Sequence, residues 1–447
     1  MLIDHLRSAL RTLRRNPFYS LISIGCLAIG IAVSMTILLY VLHEHSYDKW
    51  QANAKRIFSV AGTFKFGDAV FNMERMSYPT GPMVKQADDD VESFVRVYED
   101  SRPMNMESRM IPGVAFTEKN NFLFADSNFF RFFSFRLLKG DPVRVLDRPK
   151  TVVLTERTAR KYFGKKEPVG QMLRLNGRDD LEVTGVAADP PSNTSIPFDV
   201  VVSLSSMPAM PEYKWIENPV SVQGGMIRTW LLLKNAGAAD RVARTLDRLS
   251  IVPGQPEKDR DHYFLSAIGD VHLHNNFGDS SNIRYLQFFP LVAGLVLLLA
   301  LINYMSLATA RASVRAKEVG VRKVLGAGRS RIAGQFYTES AVYALLSFAL
   351  GTLLFLLLRS TFFGLLQMKI DSAFLLDPLV LAAFGGLLVV VIVLSGSYPS
   401  LVLSAFKPVM VLYGKLSPAT WSGAGAEGVH LFTVRDLSIA GALQYHH

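Results

Sequence analysis

Four uncharged apolar stretches stand out along the chain, at residues 18–42, 286–310, 340–358 and 378–406. A helix needs about 20 apolar residues to cross the hydrocarbon core of a bilayer, so each stretch is long enough to span a membrane. The first is too long for the apolar region of a signal peptide, and no small-residue cleavage site follows it. Gly396 and Pro399 are expected to loosen the end of the last. The pattern predicts transmembrane helices over residues 18–43, 286–310, 340–362 and 378–402.

Basic residues flank these spans unequally, and this asymmetry predicts their orientation. Arginines precede the first span, and seven basic residues against two acidic ones lie in the segment 311–339. The loop between the third and fourth spans carries Lys369, Asp371 and Asp377. Because Lys and Arg are retained on the cytoplasmic side, residues 1–17, 311–339 and 403–447 are predicted to be cytoplasmic. Residues 44–285 then form an extracytoplasmic domain.

The N-terminal segment 1–17 has two interpretations. Leucines recur in it near helical spacing with arginines between them, at positions 2, 6, 10 and 13. This pattern is typical of an amphipathic helix on the inner membrane surface. It is equally compatible with a helical extension of the first span.

The segment 44–285 carries alternating signals for strands and helices. A β-branched run at residues 151–154 predicts a strand, and Thr155 with Gly164 predicts the start and stop of the helix after it. Two apolar runs around Asn176-Gly177 predict a hairpin, and residues 200–204 and 229–233 predict further strands. Residues 189–193 are predicted to be a loop. The fold class is therefore a membrane protein with four transmembrane α-helices and a large α+β domain between the first two.

Composition narrows the possible partners. The net charge of +10 is first explained by Lys and Arg in cytoplasmic loops, so the lipid bilayer is an expected partner and nucleic acid is not. The lone cysteine, Cys26, lies in an apolar run and excludes a disulfide within the chain.

No catalytic motif accompanies these features. The sequence contains no Gly-x-x-x-x-Gly-Lys-Ser/Thr phosphate loop, no His-Glu-x-x-His and no Gly-x-Ser-x-Gly, so we predict a non-catalytic protein. His272 and His274 would lie on one face of a strand, where a metal site is the minor interpretation and a structural strand edge the major one. His43 and His45 are explained by the polarity of the membrane interface.

The most informative segment runs from Asn303 through the basic stretch to Ser340. It is predicted to be a span leaving the membrane, a basic amphipathic helix, a Gly-Ala break and a second helix entering the next span. Chemistry alone leaves two interpretations equally open. The segment is either a solvated cytoplasmic hairpin or a docking element for a partner protein.

The stretch Glu-Val-Gly-Val-Arg-Lys-Val-Leu-Gly-Ala at residues 318–327 closely resembles the signature of the FtsX-like permeases with a MacB-type periplasmic core domain. Similar runs occur at residues 14–30, 47–50, 56–58, 155–156 and 162–164, and with Tyr398-Pro399 and Pro408 the resemblance covers residues 1 to about 415. The family resemblance implies an ABC permease that pairs with a separate cytoplasmic ATPase. ATP and Mg would then bind the ATPase, and this chain would hold no cofactor. The implied coupling residues are Glu318, Gly320, Arg322, Lys323, Gly326 and Ala327.

The resemblance also implies a location and further partners. We expect a multi-pass protein of the bacterial inner membrane, with a cytoplasmic N-terminus and a periplasmic domain. A second permease unit or a homodimer is expected, together with a periplasmic adaptor or an outer-membrane protein. Export or extraction of a peptide, a drug or a lipoprotein is the first functional hypothesis. The alternative is a signal transducer or a regulator of a cell-envelope enzyme on the same scaffold.

The chain departs from the family after Lys415. Relatives resemble two tandem units, often with a Gln-Phe-Ala-Ile-Ser-like stretch in the second, whereas this chain contains one. Codons can be chosen for residues 433–438 such that a reading frame shifted by one base encodes Gln-Phe-Ala-Ile-Ser. We hypothesise that the tail from about residue 418 is frameshifted and that the chain is a truncated two-unit permease.

Overall fold

The computed structural model describes residues 17–66, 69–217, 224–251, 260–273, 281–314, 328–366 and 368–405. In these residues the α-helices are α1 (Pro17–His45), α2 (Thr80–Ala87), α3 (Phe129–Phe132), α4 (Glu156–Phe163), α5 (Ala239–Leu249), α6 (Ile268–Val271), α7 (Ser281–Val314), α8 (Arg329–Leu365) and α9 (Pro378–Ala405). Short 3-10 helices occupy Leu204–Ala209, Pro211–Glu217, Ala236–Ala238 and Phe374–Leu376.

Four of the described helices are long and apolar enough to cross a membrane. The candidate spans are Pro17–His45, Leu286–Ala310, Ser330–Leu365 and Pro378–Ser400. Helix α8 begins well before the predicted start of its span at residue 340, because Ile332 and Phe336, four residues apart, already bury one helical face. Helix α9 continues through Gly396 and Pro399, so the expected loosening is not observed.

In the described residues, fourteen strands form one sheet. They are β1 (Ile57–Phe66), β2 (Ala69–Met73), β3 (Arg75–Met76), β4 (Val91–Glu99), β5 (Met104–Ser108), β6 (Ala115–Glu118), β7 (Phe122–Ala125), β8 (Leu137–Lys139), β9 (Thr151–Thr155), β10 (Met172–Leu175), β11 (Asp179–Ala187), β12 (Val200–Ser203), β13 (Ile227–Leu233) and β14 (His262–Ala267). Their order is β14-β1-β13-β4-β7-β12-β9-β11-β10-β5-β6, with β2 beside β1, β3 beside β13 and β8 beside β11. We call these strands with helices α2–α6 the sheet domain.

The pairing is mostly antiparallel, and two pairs are parallel. Strand β11 runs parallel to β9, and β12 runs parallel to β7. The predicted hairpin is confirmed as β10–β11, with Leu175 opposite Asp179. The predicted α+β class is therefore confirmed, and helix α1 precedes the sheet domain in the chain.

Both faces of the central strands are covered. In β12, Val200 and Val202 pack into one apolar cluster with Tyr162 and Tyr213, whereas Val201 packs into another with Trp230. Successive strand residues point to opposite faces, so a continuous apolar run is what a strand buried on both sides requires. These two clusters and a third one, which includes Val84 of α2 and Leu246 of α5, form the core of the domain.

The chain divides into two compact units. One comprises the described parts of Met1–Ala28, Leu299–Leu350 and Leu388–His447, and the other comprises the described parts of Ile29–Leu298 and Gly351–Leu387. In the first unit the Ser20 and Tyr343 hydroxyls lie 2.8 Å apart. A Cβ on Gly396 would approach the Tyr337 ring to 2.8 Å, so glycine permits this close helix contact. The second unit contains the whole sheet domain.

The predicted start and stop of helix α4 are confirmed. The Thr155 side chain accepts a hydrogen bond from the Thr158 amide, and Gly164 ends the helix with a φ of 63°. We expect Thr155→Ala to destabilise the sheet domain by about 1 kcal/mol, because one buried helix amide loses its acceptor. Thermal unfolding of the detergent-solubilised chain measures this loss. Thr155→Ser keeps the hydroxyl and should retain most of the stability; equal losses in both variants would contradict the capping role.

Candidate functional site where helix α1 meets the sheet domain

The predicted coupling residues lie outside the described residues. Glu318, Gly320, Arg322, Lys323, Gly326 and Ala327 all fall between the end of α7 at Val314 and residue 328. Their role therefore stays a prediction. The structure instead describes a polar cluster where the end of α1 meets the sheet domain.

Helix α1 is attached to the sheet domain through Asp48. The Asp48 carboxylate accepts hydrogen bonds from the Thr194 hydroxyl and the Ser195 amide, each at 2.8 Å. The Asp48 amide donates to the Asn193 carbonyl at 3.0 Å. Burial raises the pKa of Asp48, although the bonds from Ser195 and Thr194 and the charge of Arg228 oppose this shift. These contacts fix the direction in which the chain leaves the helix.

Asn193 reinforces the same attachment. Its side-chain amide donates to the Ser46 hydroxyl at 2.8 Å, and its carbonyl accepts from the Trp50 indole at 3.3 Å. We call the contacts between residues 46–50 and residues 193–195 the α1 joint. The predicted loop at residues 189–193 is confirmed, and its last residue belongs to this joint.

Two histidines have partners that the sequence did not indicate. His43, in the last turn of α1, is 1% exposed, and its Nε2 atom lies 3.0 Å from the Ser192 hydroxyl. His272 follows helix α6 instead of lying on a strand, so the predicted strand edge is wrong. Its ring stacks on Tyr47 at 3.4 Å, and its Nε2 atom lies 2.9 Å from the Glu44 carboxylate. The short helix α6 turns the chain here, which alternation alone does not reveal.

The metal interpretation of this region is not supported. His274 lies outside the described residues, and among those described no group of three or more His, Cys, Asp or Glu side chains is arranged to hold a metal ion. Glu44 instead lies between the two imidazoles of His272 and His43, with the His43 Nδ1 atom at 3.8 Å. The cluster therefore links the end of α1 to the segment that leads to α7.

The segment of residues 368–377, between α8 and α9, also reaches this cluster. The Ser192 amide donates to the Asp371 carboxylate at 3.0 Å, and the Asp371 amide donates to the Ser192 hydroxyl at 3.1 Å. The Phe374 ring lies 5.0 Å from the His43 ring in an edge-on arrangement. We call residues 368–377 the α8–α9 segment and the two reciprocal bonds the Ser192–Asp371 pair.

A cleft of about 1200 Å³ opens beside these contacts. Residues 368–371 form one wall, and β6, β7, α4 and the loop before β12 contribute others. Most charges along it are paired, as Arg157 with Asp199 at 2.6 Å and Lys161 with Glu118 at 2.7 Å. Arg228 is also paired, donating to Glu99 at 2.7 Å. The lining suits a ligand with polar groups rather than a wholly apolar one.

Asp100 in the same cleft provides a test at low pH. Burial alone would raise its pKa, but hydrogen bonds from Arg102 and Tyr213, each at 2.6 Å, bring the pKa below its ordinary value. The stability that this carboxylate contributes is therefore present above its unfolded pKa of about 3.9 and is lost as pH falls further. We expect melting temperatures measured from neutral pH downward to fall less steeply for Asp100→Asn than for the unmodified chain.

Tyr213→Phe serves as the matched variant for that prediction. It removes one of the bonds that lower the pKa of Asp100 and leaves the carboxylate in place. As pH falls, the melting temperature of Tyr213→Phe should decrease more steeply than that of Asp100→Asn and less steeply than that of the unmodified chain. An unchanged slope in Asp100→Asn would contradict the assignment.

The sequence did not indicate this cluster as a site. Residues 47–50 contributed only to a family resemblance, residues 189–193 were predicted only to be a loop, and Thr194 and Ser195 were assigned no role. The four hydroxyl and amide side chains at residues 192–195, directly after two prolines, were the sequence feature that could have indicated a polar site. Their partners, Asp48 and Asp371, are distant in sequence, so the pairing was not predictable.

In its described residues, the chain has the fold of a membrane protein whose α+β sheet domain follows the first of four candidate transmembrane helices. The sequence model of the MacB-like periplasmic core domain matches residues 20–249, just over half of the chain. That of the FtsX-like permease C-terminal region matches residues 290–408. The chain therefore belongs to the FtsX-like permeases with a MacB-like periplasmic core domain, and the resemblance is confirmed.

Individual relatives are distant. The macrolide export ATP-binding/permease protein MacB 1 of Yersinia pestis bv. Antiqua (strain Antiqua) is 24% identical over 269 residues, which cover 58% of this chain and 39% of that protein. MacB of Bdellovibrio bacteriovorus is 25% identical over 278 residues, covering 59% of this chain and 39% of that protein. The chain thus matches about two fifths of the length of these relatives.

Solved structures of similar domains are also distant. A permease domain from Porphyromonas gingivalis is 21% identical with a TM-score of 0.40, and the match covers 48% of this chain and 91% of that domain. The periplasmic region of MacB from Actinobacillus actinomycetemcomitans is 15% identical with a TM-score of 0.33, covering 48% and 90%.

Proposed function

We propose that this chain is the permease subunit of an ABC transport system. It couples ATP hydrolysis by a separate cytoplasmic ATPase to movement of the periplasmic domain, for export or extraction of a peptide, drug or lipoprotein substrate. ATP and Mg bind the partner, and this chain supplies no catalytic group. Its place is the bacterial inner membrane, with the N-terminus in the cytoplasm.

One observation carries the proposal: α1 passes without a break from Pro17 to His45 and ends at the α1 joint. A continuous helix is stiff along its axis, because every interior turn is closed by hydrogen bonds. Displacement of its cytoplasmic end is therefore transmitted to residues 193–195 rather than absorbed by a flexible linker. The cleft lies directly beside this joint and is the place where we propose that substrate is handled.

The composition of the spans supports the same mechanism. The apolar stretches at residues 18–42, 286–310, 340–358 and 378–406 carry no acidic or basic residue, and Arg359 directly follows the third. Ionisable side chains within spans usually mark an ion or proton pathway. Movement of an external domain agrees better with these spans than a polar path through the membrane.

The assembly proposed around this chain has two parts besides the ATPase. A second permease unit, either another copy or a separate chain, would complete the membrane portion. An adaptor or an outer-membrane protein would receive the substrate beyond the periplasmic domain. These partners follow from the family resemblance and not from a described contact.

The test is affinity purification of the tagged full chain from its native membrane, with identification of the bound proteins and an ATPase assay. Recovery of an ABC ATPase with vanadate-sensitive activity is the expected outcome. An untagged strain processed in parallel controls for ATPases that bind the resin. Recovery of a sensor or a cell-wall hydrolase without any ATPase would overturn the permease proposal in favour of signalling.

A further inference from the structure

The loop before strand β12 makes two attachments that differ physically. Residues 193–195 belong to the α1 joint, whereas the preceding residue, Ser192, pairs with Asp371 of the α8–α9 segment. Neighbouring residues of one loop thus contact two different segments, the one that follows α1 and the one between α8 and α9. Their burial and bonding indicate how easily each attachment separates.

The α1 joint resists opening. Asp48, Asn193 and Thr194 are 0%, 8% and 6% exposed, and their polar groups bond mainly to one another. Opening the joint would leave a buried carboxylate without its donors. Leaving a buried charge without hydrogen bonds costs much more free energy than replacing a protein hydrogen bond with one to water. Helix α1 and residues 193–195 therefore move together.

The Ser192–Asp371 pair can separate at low cost. Both residues are half-buried, so water can replace the two reciprocal bonds as they break. Each side also keeps a partner after separation. Ser192 retains His43 at 3.0 Å, and the Asp371 carboxylate retains the Phe374 amide at 2.7 Å within its own segment.

Separation of this pair would change the cleft. Met368, Lys369, Ile370 and Asp371 line one side of it, whereas His43 and Ser192 belong to the side held by the α1 joint. Withdrawal of the α8–α9 segment removes that wall and takes the exposed Lys369 with it.

We propose that the Ser192–Asp371 pair is a latch that closes this wall of the cleft and is released when the partner ATPase binds nucleotide. The α1 joint stays closed in both states. The substrate enters or leaves past residues 368–371 when the latch is open. This inference rests on the proposed function, because the nucleotide acts through the ATPase.

Cysteine cross-linking tests the latch in the full chain. The lone native cysteine is replaced by Cys26→Ala, and two pairs are introduced separately: Ser192→Cys with Asp371→Cys, and Ser46→Cys with Asn193→Cys as the matched control for the α1 joint. Membranes containing the chain and its ATPase are oxidised without nucleotide and with ATP plus vanadate. We expect the latch pair to cross-link several-fold less in the vanadate-trapped state, with the control pair unchanged.

A labelling experiment tests the closed state without the ATPase. Ser192→Cys in the Cys26→Ala background is treated with a membrane-impermeant maleimide, alone and combined with Asp371→Ala. Loss of the latch should raise labelling several-fold. Equal labelling, or equal cross-linking in both nucleotide states of an active complex, would overturn the latch and leave the permease proposal standing. Absence of any co-purifying ATPase would overturn both.

Discussion

Replacing both Arg322 and Lys323 with glutamate is expected to abolish recovery of the ATPase with the purified chain. These adjacent cations follow Glu318 and Gly320 in the cytoplasmic hairpin that the sequence predicts. Basic side chains there can bond acidic or carbonyl groups on a partner, and charge-assisted bonds are stronger than neutral ones. Reversal of two charges replaces attraction by repulsion at the same place. The measurement is the amount of ATPase recovered per tagged chain.

The matched control reverses two other adjacent cations. Lys165 and Lys166 are exposed in the sheet domain, just after helix α4. Lys165→Glu with Lys166→Glu makes the same change in net charge on a surface outside the proposed ATPase contact. It should leave recovery unaffected. Full recovery of the ATPase with the Arg322/Lys323 variant would contradict the coupling assignment. Loss of the ATPase with both variants would indicate a general effect of charge.

Removing the buried cation at Arg228 is expected to destabilise the sheet domain by about 3 kcal/mol. The guanidinium donates to Glu99 at 2.7 Å, to Glu74 at 3.2 Å and to the Ser195 carbonyl at 3.1 Å. Burial alone would lower the pKa of Arg228, but Glu99 and Glu74 hold it above its ordinary value. Arg228→Ala therefore leaves two partly buried carboxylates without their shared cation, and it also takes one contact from the loop of the α1 joint.

Arg75→Ala is the control for that loss. Arg75 lies 3.5 Å from the same Glu99 carboxylate but has a side chain that is 42% exposed. Exposed ion pairs contribute about 0–1 kcal/mol to stability, so the free energy of unfolding of this variant should be close to that of the unmodified chain. Urea unfolding of the solubilised full chain, followed by tryptophan fluorescence, compares the two. Equal destabilisation by both changes would show that burial of the cation is not what matters.

Local features of the fold were predictable where one short segment carries the whole signal. Thr155, Gly164 and the Asn176-Gly177 turn act on residues within a few positions of themselves, and all three were placed correctly. The strand proposed at His272 failed because two alternating residues do not distinguish a strand from the short helix α6. The burial of His43 was equally hidden, because it depends on a loop about 150 residues further along.

The sequence by itself determined the four spans, the α+β class and the family. Hydropathy, turn residues and the family signature at residues 318–327 are each properties of contiguous residues. Only the tertiary structure decided that α1, the loop of residues 192–195 and the α8–α9 segment meet in one polar cluster beside a cleft. Ser192 and Asp371 are each ordinary loop residues in the sequence. Their significance comes from two hydrogen bonds across 179 positions, and such contacts depend on how the whole chain packs.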